Sequence, residues 1–216
     1  MGFKRMLGVS EKHFIREKII QGSRNYNKYL KGKSFLVVTE EIEFYIITFP
    51  AKKYRHLTGV TTSLKEEEFF TNCLSGKIAI SQISNEQKYN FKTLKKKALA
   101  IEKIHKIIYS DTTNSLFLKE LHTNTSLFPV GIINDNLDIC IGFKGKKLQI
   151  ATLRTSNNSK DANEKKRILC IFAKGVNDEL YNEIVYISNI KSVFSQKEEL
   201  FNYLSSEIKD KISYIL

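Results

Sequence analysis

The chain has 216 residues and a formal charge of +12, from 35 Lys and Arg against 23 Asp and Glu, with 42% hydrophobic residues. That hydrophobic content excludes global disorder, and no apolar run approaches the roughly 18 residues that a membrane-spanning helix needs. The positive charge favours an anionic partner: nucleic acid ranks first and a membrane surface second, while a codon bias that inflates Lys and Asn would explain the charge without a partner.

Cysteine usage and the first residues bear on the cellular compartment. Cys73, Cys140 and Cys170 lie far apart in apolar surroundings and form no C-x-x-C pair. We therefore expect buried free thiols, with neither a zinc site nor a disulfide framework. The opening residues MGFKRMLGVSEKH lack the continuous apolar stretch of a signal peptide. These patterns predict a cytoplasmic protein that uses no metal and no cofactor.

Helix and hairpin signals dominate the first half of the chain. Ser10 is predicted to cap a helix whose apolar residues share one face, and Gly32 follows its end. Ser63 and Glu66 form a capping-box pattern that predicts a second, shorter helix. The predicted elements are helices over residues 11–30, 66–74 and 91–108 and a hairpin of strands over 35–39 and 44–49.

From residue 115 onward the apolar residues follow the period of strands. The polar stretch over 155–166 is predicted to be a loop, and Ser195 with Glu198 to begin a closing helix. Helices early and strands late predict a single α+β domain over 1–216, with N-terminal helices packed on an antiparallel sheet and a closing C-terminal helix. The predicted strands cover residues 116–121, 137–143, 147–153, 167–173 and 183–187.

The segment FYIITFPAKKYRHLTG, over residues 44–59, has the strongest functional signal in the sequence. It places the imidazole of His56 beside basic and hydroxyl groups just after a strand, where loops often hold functional residues. His56 and Thr58 are one residue apart, so an extended backbone would put both side chains on one face. A histidine near a strand end is also common as a solvated structural residue.

Metal-free cleavage of RNA requires a small set of groups. A base takes the proton of the ribose 2′-hydroxyl, an acid protonates the leaving 5′-oxygen, and cations or hydroxyls stabilise the charge on phosphorus. His56 and Thr58 supply one half of such a site. Arg154 and Thr155, at the end of the segment KLQIATLRTS, are predicted to supply the other half, with Ser156 beside them.

Basic residues around these segments are candidates for binding nucleic acid. The densest run is Lys95, Lys96 and Lys97, which would also be explained as an ordinary solvated helix face. Lys53 and Arg55 flank the first candidate segment. Tyr54 or Phe143 could stack a base, although aromatic residues at such positions are more often part of the core, and His13, His105 and His122 are interpreted as structural or solvated.

Several segments, in this order, resemble a nuclease family. They are YRHLTG over 54–59, then Phe69 and Phe70 followed by Leu74 and by GKI over 76–78, then the basic helix LKKKALAIEKIHKII, and finally IGFKGKKLQIATLRTSN, which precedes RILCIFA. They resemble the phage-linked group of the Barnase, EndoU, colicin and RelE-like (BECR) nuclease superfamily, in particular its fourth phage subgroup. The resemblance covers about residues 34–190 as a nuclease-like core, with 1–33 as a helical extension.

What the resemblance implies is an α+β nuclease-like fold and metal-independent RNA cleavage. Matched position by position, it points to His56 and Thr58 on the first segment and to Arg154 with Thr155 on the later strand end. The residues before that pair are Ala151, Thr152 and Leu153 rather than the expected proline or aromatic residue, which leaves the choice between Thr155 and Ser156 open.

Three functional hypotheses follow. The first is an endoribonuclease, an effector or toxin of a mobile element, which would act on RNA and have a protein inhibitor. The second is a non-catalytic nucleic-acid-binding or host-immunity-blocking protein on the same fold, with a host nucleoprotein as its target. The third is an interaction domain with incidental charge. Salt-dependent affinity for nucleic acid separates the third from the others, and loss of cleavage on changing His56 or Arg154 identifies the first.

Overall fold

The computed structural model describes residues 5–85, 89–123, 126–156, 162–188 and 198–215. The helices are α1 (Val9–Tyr29), α2 (Tyr54–Thr58), α3 (Glu66–Leu74), α4 (Phe91–Lys103), α5 (Glu198–Phe201) and α6 (Ser206–Ile215). The strands are β1 (Lys33–Thr39), β2 (Phe44–Thr48), β3 (Ser115–Thr123), β4 (Ser126–Asn134), β5 (Ile139–Lys144), β6 (Gln149–Arg154), β7 (Ala162–Gly175) and β8 (Glu183–Ile187). None of the helices within these ranges is long and apolar enough to cross a bilayer.

The strands close on themselves. They follow the order β1-β2-β6-β5-β4-β3-β7, and β7 pairs back with β1, while β8 adds to the other side of β7. The neighbours are antiparallel except β2 and β6, which meet in parallel where Thr48 lies beside Gln149. The predicted fold, helices packed on an antiparallel sheet, is therefore wrong: the protein is a closed, mixed, seven-stranded barrel. Strand periodicity shows which residues face the core but not which edge strands meet.

Strand β4 has no counterpart in the sequence prediction. It lies between β3 and β5, although it contains Pro129 and Gly131, which weaken a strand signal. The β3–β4 ladder pairs Lys119 with Val130 and Leu121 with Phe128, and it omits the intervening pair. Glu120 has a φ of 49°, so the ladder is irregular where the proline, which has no N–H to donate, must be accommodated.

Other boundaries also differ from the sequence prediction. Residues 162–166, assigned to a polar loop, form the start of the long strand β7, whereas 157–161 lie outside the described residues. The basic helix ends at Lys103 and continues as a 3-10 turn, Ile104–Ile107. The predicted cap of the closing helix, Ser195, also lies outside the described residues. From Glu198 onward the chain forms two helices, α5 and α6, in place of the single closing helix that was predicted.

Both faces of β1 are buried, which explains why helices lie on two sides of this part of the barrel. Phe35 and Val37 belong to the main core, which also contains residues of α1, α3 and α4. Leu36 and Val38 point the other way and pack with residues of α5 and α6. Each such side chain contributes about 1.5–3 kcal/mol on full burial. The three cysteines are free and buried, as predicted.

A cluster of charges holds the β1–β2 connection against β7. The side chain of Lys166 is only 7% exposed, and its ammonium lies 2.6 Å from Glu41 and 3.0 Å from Glu43. Lys119 also pairs with Glu43, at 2.9 Å, and the hydroxyl of Tyr45 donates a hydrogen bond to the carboxylate of Glu43. Glu41 has a φ of 66°, a left-handed conformation that these contacts help to maintain. The cluster therefore joins the β1–β2 connection and β2 to strands β3 and β7.

Because of this charge cluster, we expect the free energy of unfolding to fall in acid. Burial alone would raise the pKa of Glu43, but hydrogen bonds from Lys119, Tyr45 and Lys166 outweigh it and lower the pKa from 4.5 to about 2. A lowered pKa stabilises the fold above 4.5, and that contribution disappears as the pH falls towards 2. Glu43→Gln is expected to lower the free energy of unfolding at pH 7 and to reduce its change between pH 5 and 3, measured by urea titration. Glu179→Gln, at an exposed position, is the control; equal pH profiles for the two variants would contradict the expectation.

Candidate active site

His56 lies on the short helix α2, which is fixed on both sides. The buried hydroxyl of Tyr54 donates to the carbonyl oxygen of Ile19 in α1 at 2.5 Å. A Cβ on Gly22 would lie 2.9 Å from that hydroxyl, so the glycine permits the close approach. Gly59 ends α2 with a φ of 73°, which favours glycine. The exposed imidazole of His56 is thus presented from an anchored turn.

His56 and Thr58 would share a face only on an extended backbone, and the structure places both in helix α2. Helix residues two apart do not share a face. Thr58 is buried, its hydroxyl donates to the carbonyl oxygen of Arg55 at 2.7 Å, and it accepts from the backbone N–H of Val60 at 3.2 Å. The hydroxyl of Thr58 therefore stabilises the end of α2, and Thr58 is not among the residues that surround the cleft described next.

A cleft of about 740 Å³ lies between α4 and strands β4, β5 and β6. It contains His56 together with Arg154 and Thr155, so three of the four predicted catalytic residues, which come from separate parts of the chain, meet on one concave surface. The lining residues are His56, Tyr89, Lys92, Thr93, Lys96, Lys97, Ala100, Ser126, Phe128, Lys144, Ala151, Thr152, Leu153, Arg154 and Thr155.

Arg154 is the last residue of β6, and the chain after it is tied down. The Nε of Arg154 donates to the hydroxyl of Thr152 at 3.3 Å, which directs the half-buried side chain along the strand. Two residues further on, the backbone N–H and the hydroxyl of Ser156 both donate to one carboxylate oxygen of Asp138 at 3.0 Å. Thr155 is held between these contacts. Ser156 is buried and is not among the lining residues.

The three consecutive lysines of α4 have different surroundings. Lys95 extends towards α1, where its ammonium lies 5.5 Å from the ring centre of Phe14. Lys96 is exposed and lines the cleft. Lys97 also lines it, but its ammonium donates to the carbonyl oxygen of Leu153 at 2.8 Å. The run predicted as one phosphate-binding unit is thus divided among three environments.

Other predicted nucleic-acid contacts lie outside the cleft. The guanidinium of Arg55 donates to the carbonyl oxygen of Leu64 at 2.7 Å and pairs with Glu66 at 3.4 Å, so it holds the start of α3. Lys53 lies in the 3-10 turn before α2 and is not a lining residue. Tyr54 and Phe143 are fully buried in the core, which leaves neither ring open to a base.

Two lining residues that the sequence analysis did not select are Phe128 and Lys144. The ammonium of Lys144 lies 4.5 Å from the ring centre of Phe128, within cation–π range. A Cβ on Gly142 would lie 2.8 Å from that ring, so the glycine in β5 makes room for it. Phe128 belongs to β4, the strand that was not predicted. Lys144 could have been selected from the sequence, because it lies in the segment IGFKGKKLQIATLRTSN, which resembles the nuclease family.

The charged side chains that line the cleft, among the described residues, are all positive. Five of its lining residues are Lys or Arg, and no Asp or Glu lines it within the described part of the chain. A concave surface with one sign of charge concentrates the electric field and attracts a polyanion. A larger groove of about 970 Å³, between α1 and α4, mixes its cations with Glu17 and Glu102 and lacks this polarity.

His105 lies in that second groove and behaves as a structural residue. Its ring stacks on Tyr29 with centres 4.7 Å apart. Burial and the nearby Lys106 lower its pKa, which favours the neutral imidazole. In the described residues, no group of three or more His, Cys, Asp or Glu side chains is arranged to hold a metal ion.

The closed barrel thus brings a histidine and an arginine into one cleft whose charged lining residues, among those described, are all positive, which is a surface suited to an anionic ligand. The model of one family, described as phage-Barnase-EndoU-ColicinE5/D-RelE like nuclease 4, matches residues 18–190, and the chain belongs to this family. The resemblance stated from the sequence is thereby confirmed, and it supports a nuclease-like function and a phage association. Comparisons with curated proteins and with solved structures gave no match.

Proposed function

We propose that the protein cleaves RNA in the cationic cleft by attack of a ribose 2′-hydroxyl on the adjacent phosphate, without a metal ion. The observation that supports this most is the meeting of His56 and Arg154 in one cleft that has no lining carboxylate among the described residues. Imidazole, guanidinium and ammonium groups act directly on a phosphodiester, and the ribose supplies its own nucleophile.

The proposed reaction uses the groups in the cleft as follows. The neutral imidazole of His56 takes the proton of the 2′-hydroxyl while the bond from that oxygen to phosphorus forms. Arg154 binds the two non-bridging oxygens through its guanidinium, and the hydroxyl of Thr155 donates a further hydrogen bond. The bond from phosphorus to the 5′-oxygen breaks, and an exposed ammonium, from Lys92 or Lys96, gives that oxygen its proton.

The proposal predicts both the conditions and the products of cleavage. Cutting of RNA should persist in EDTA, and the upstream fragments should end in 2′,3′-cyclic phosphate, because the ribose oxygen remains bonded to phosphorus. The measurement is incubation of purified protein with labelled RNA, followed by analysis of the fragment ends. A requirement for added magnesium, or fragments that end in a 3′-hydroxyl, would contradict the proposal.

The second candidate function uses the same cleft without chemistry. A non-catalytic nucleic-acid-binding protein, or one that blocks a host immunity complex, also needs the five cations that line the cleft. It would show salt-dependent RNA binding with no cleavage under any of these conditions. That result would replace the ribonuclease proposal with the binding function.

A further inference from the structure

Lys97 occupies a position between the two halves of the cleft. Its ammonium donates to the carbonyl oxygen of Leu153 at 2.8 Å and lies 3.5 Å from the carbonyl oxygen of Leu57, near the long limit of a hydrogen bond. Leu57 follows His56 in α2, and Leu153 precedes Arg154 in β6. One side chain of α4 thus connects the backbone beside the candidate base with the backbone beside the candidate phosphate ligand.

The stem of Lys97 is also closely surrounded. A Cβ on Gly59 would lie 2.8 Å from the Cδ of Lys97, so the lysine runs directly against the residue that ends α2. Its ammonium lies 5.7 Å from the ring centre of Tyr89, which also lines the cleft. The side chain is half-buried, in contrast to the exposed side chain of Lys96, the preceding residue.

We infer that Lys97 is a positioning residue, which sets the distance and orientation of His56 relative to Arg154 by joining α2 to β6. The inference rests on the proposed function, since positioning has a consequence for rate where the two groups act together. Their alignment is worth much of a catalytic effect: a displacement of about 1 Å can reduce a rate about 100-fold. A lysine that only attracted phosphate would instead act through affinity and its salt dependence.

The experiment compares Lys97→Arg with Lys95→Arg, because both variants keep the positive charge and Lys95 extends towards α1, away from the cleft. The guanidinium of arginine is planar and larger than the compact ammonium of lysine, so it does not reproduce the hydrogen bonds of Lys97 to two carbonyl oxygens. Lys97→Arg is therefore expected to lower the single-turnover cleavage rate at saturating RNA by about 10-fold more than Lys95→Arg does. The slope of RNA affinity against salt should stay near that of the wild type. Equal effects of the two variants on the rate would overturn the inference.

A second measurement does not depend on cleavage. The imidazole signals of His56 in a proton–carbon NMR spectrum should shift more in Lys97→Arg than in Lys95→Arg. If the wild-type protein cuts no RNA, the proposed function fails while these signals still test the positioning role. Unchanged signals in Lys97→Arg, in a variant with a wild-type melting temperature, would overturn the inference whether or not RNA is cut.

Discussion

His56→Ala is expected to lower the rate of RNA cleavage by about 10²- to 10⁴-fold, the usual loss when a positioned acid or base is removed. His56 is exposed and lines the cleft, and helix α2 is anchored through Tyr54 and Gly59. The fold and the RNA affinity should therefore change little. Single-turnover cleavage with excess protein, together with equilibrium binding, separates the effect on rate from the effect on affinity.

His13→Ala is the matched control for this variant. His13 is also exposed, but it lines the groove between α1 and α4 rather than the cleft. Its replacement should leave cleavage at the wild-type rate. If His56→Ala cut RNA as fast as His13→Ala, the imidazole would have no part in the reaction, and the assignment of a base would be lost.

Arg154→Ala is expected to lower the cleavage rate by about 10²- to 10³-fold, as when a donor to a developing oxyanion is removed. Unlike the histidine variant, it should also weaken RNA binding. The slope of affinity against salt should fall by about 0.7, the value of one phosphate contact on a single strand. Arg154→Lys should restore much of the binding but less of the rate, because an ammonium cannot form the two parallel bonds of a guanidinium.

The control for Arg154 is Arg167→Ala. Arg167 is a more exposed arginine on β7, where its Nε lies 3.0 Å from Glu40, and it does not line the cleft. Its loss removes the same net charge and should leave the cleavage rate at saturating RNA unchanged. A similar loss of rate in both variants would mean that overall charge, and not a contact at Arg154, governs the reaction.

Local patterns in the sequence predicted most elements, because each needs only neighbouring residues. The apolar stripe of α4, the glycine after α1 and the alternation in β5 and β6 are signals of this kind. Closure of the sheet could not be predicted in the same way, since β1 and β7 come from distant parts of the chain and neither strand specifies its partner. Strand β4 was not recognised because Pro129 and Gly131 weaken its local signal.

Prediction of the site had a similar limit. The chemistry of the residue types selected His56 and Arg154, and the structure brings both to one cleft. Side-chain direction could not be read from spacing alone: a backbone assumed to be extended is helical, which turns Thr58 inward to cap α2. The three adjacent lysines look equivalent in sequence, yet helix geometry directs Lys95 to Phe14 and Lys97 to backbone carbonyls.

The most direct test of RNA cleavage by 2′-hydroxyl attack is a single deoxyribose at the cut position of an otherwise unmodified RNA. Cleavage at that position should disappear, because the attacking oxygen is missing, while affinity for the RNA should stay close to that of the unmodified strand. Loss of cutting should be confined to the substituted nucleotide, with other cut positions in the same strand unaffected. Cleavage of the deoxy-substituted bond at the rate of the unmodified bond would rule out attack by the 2′-hydroxyl.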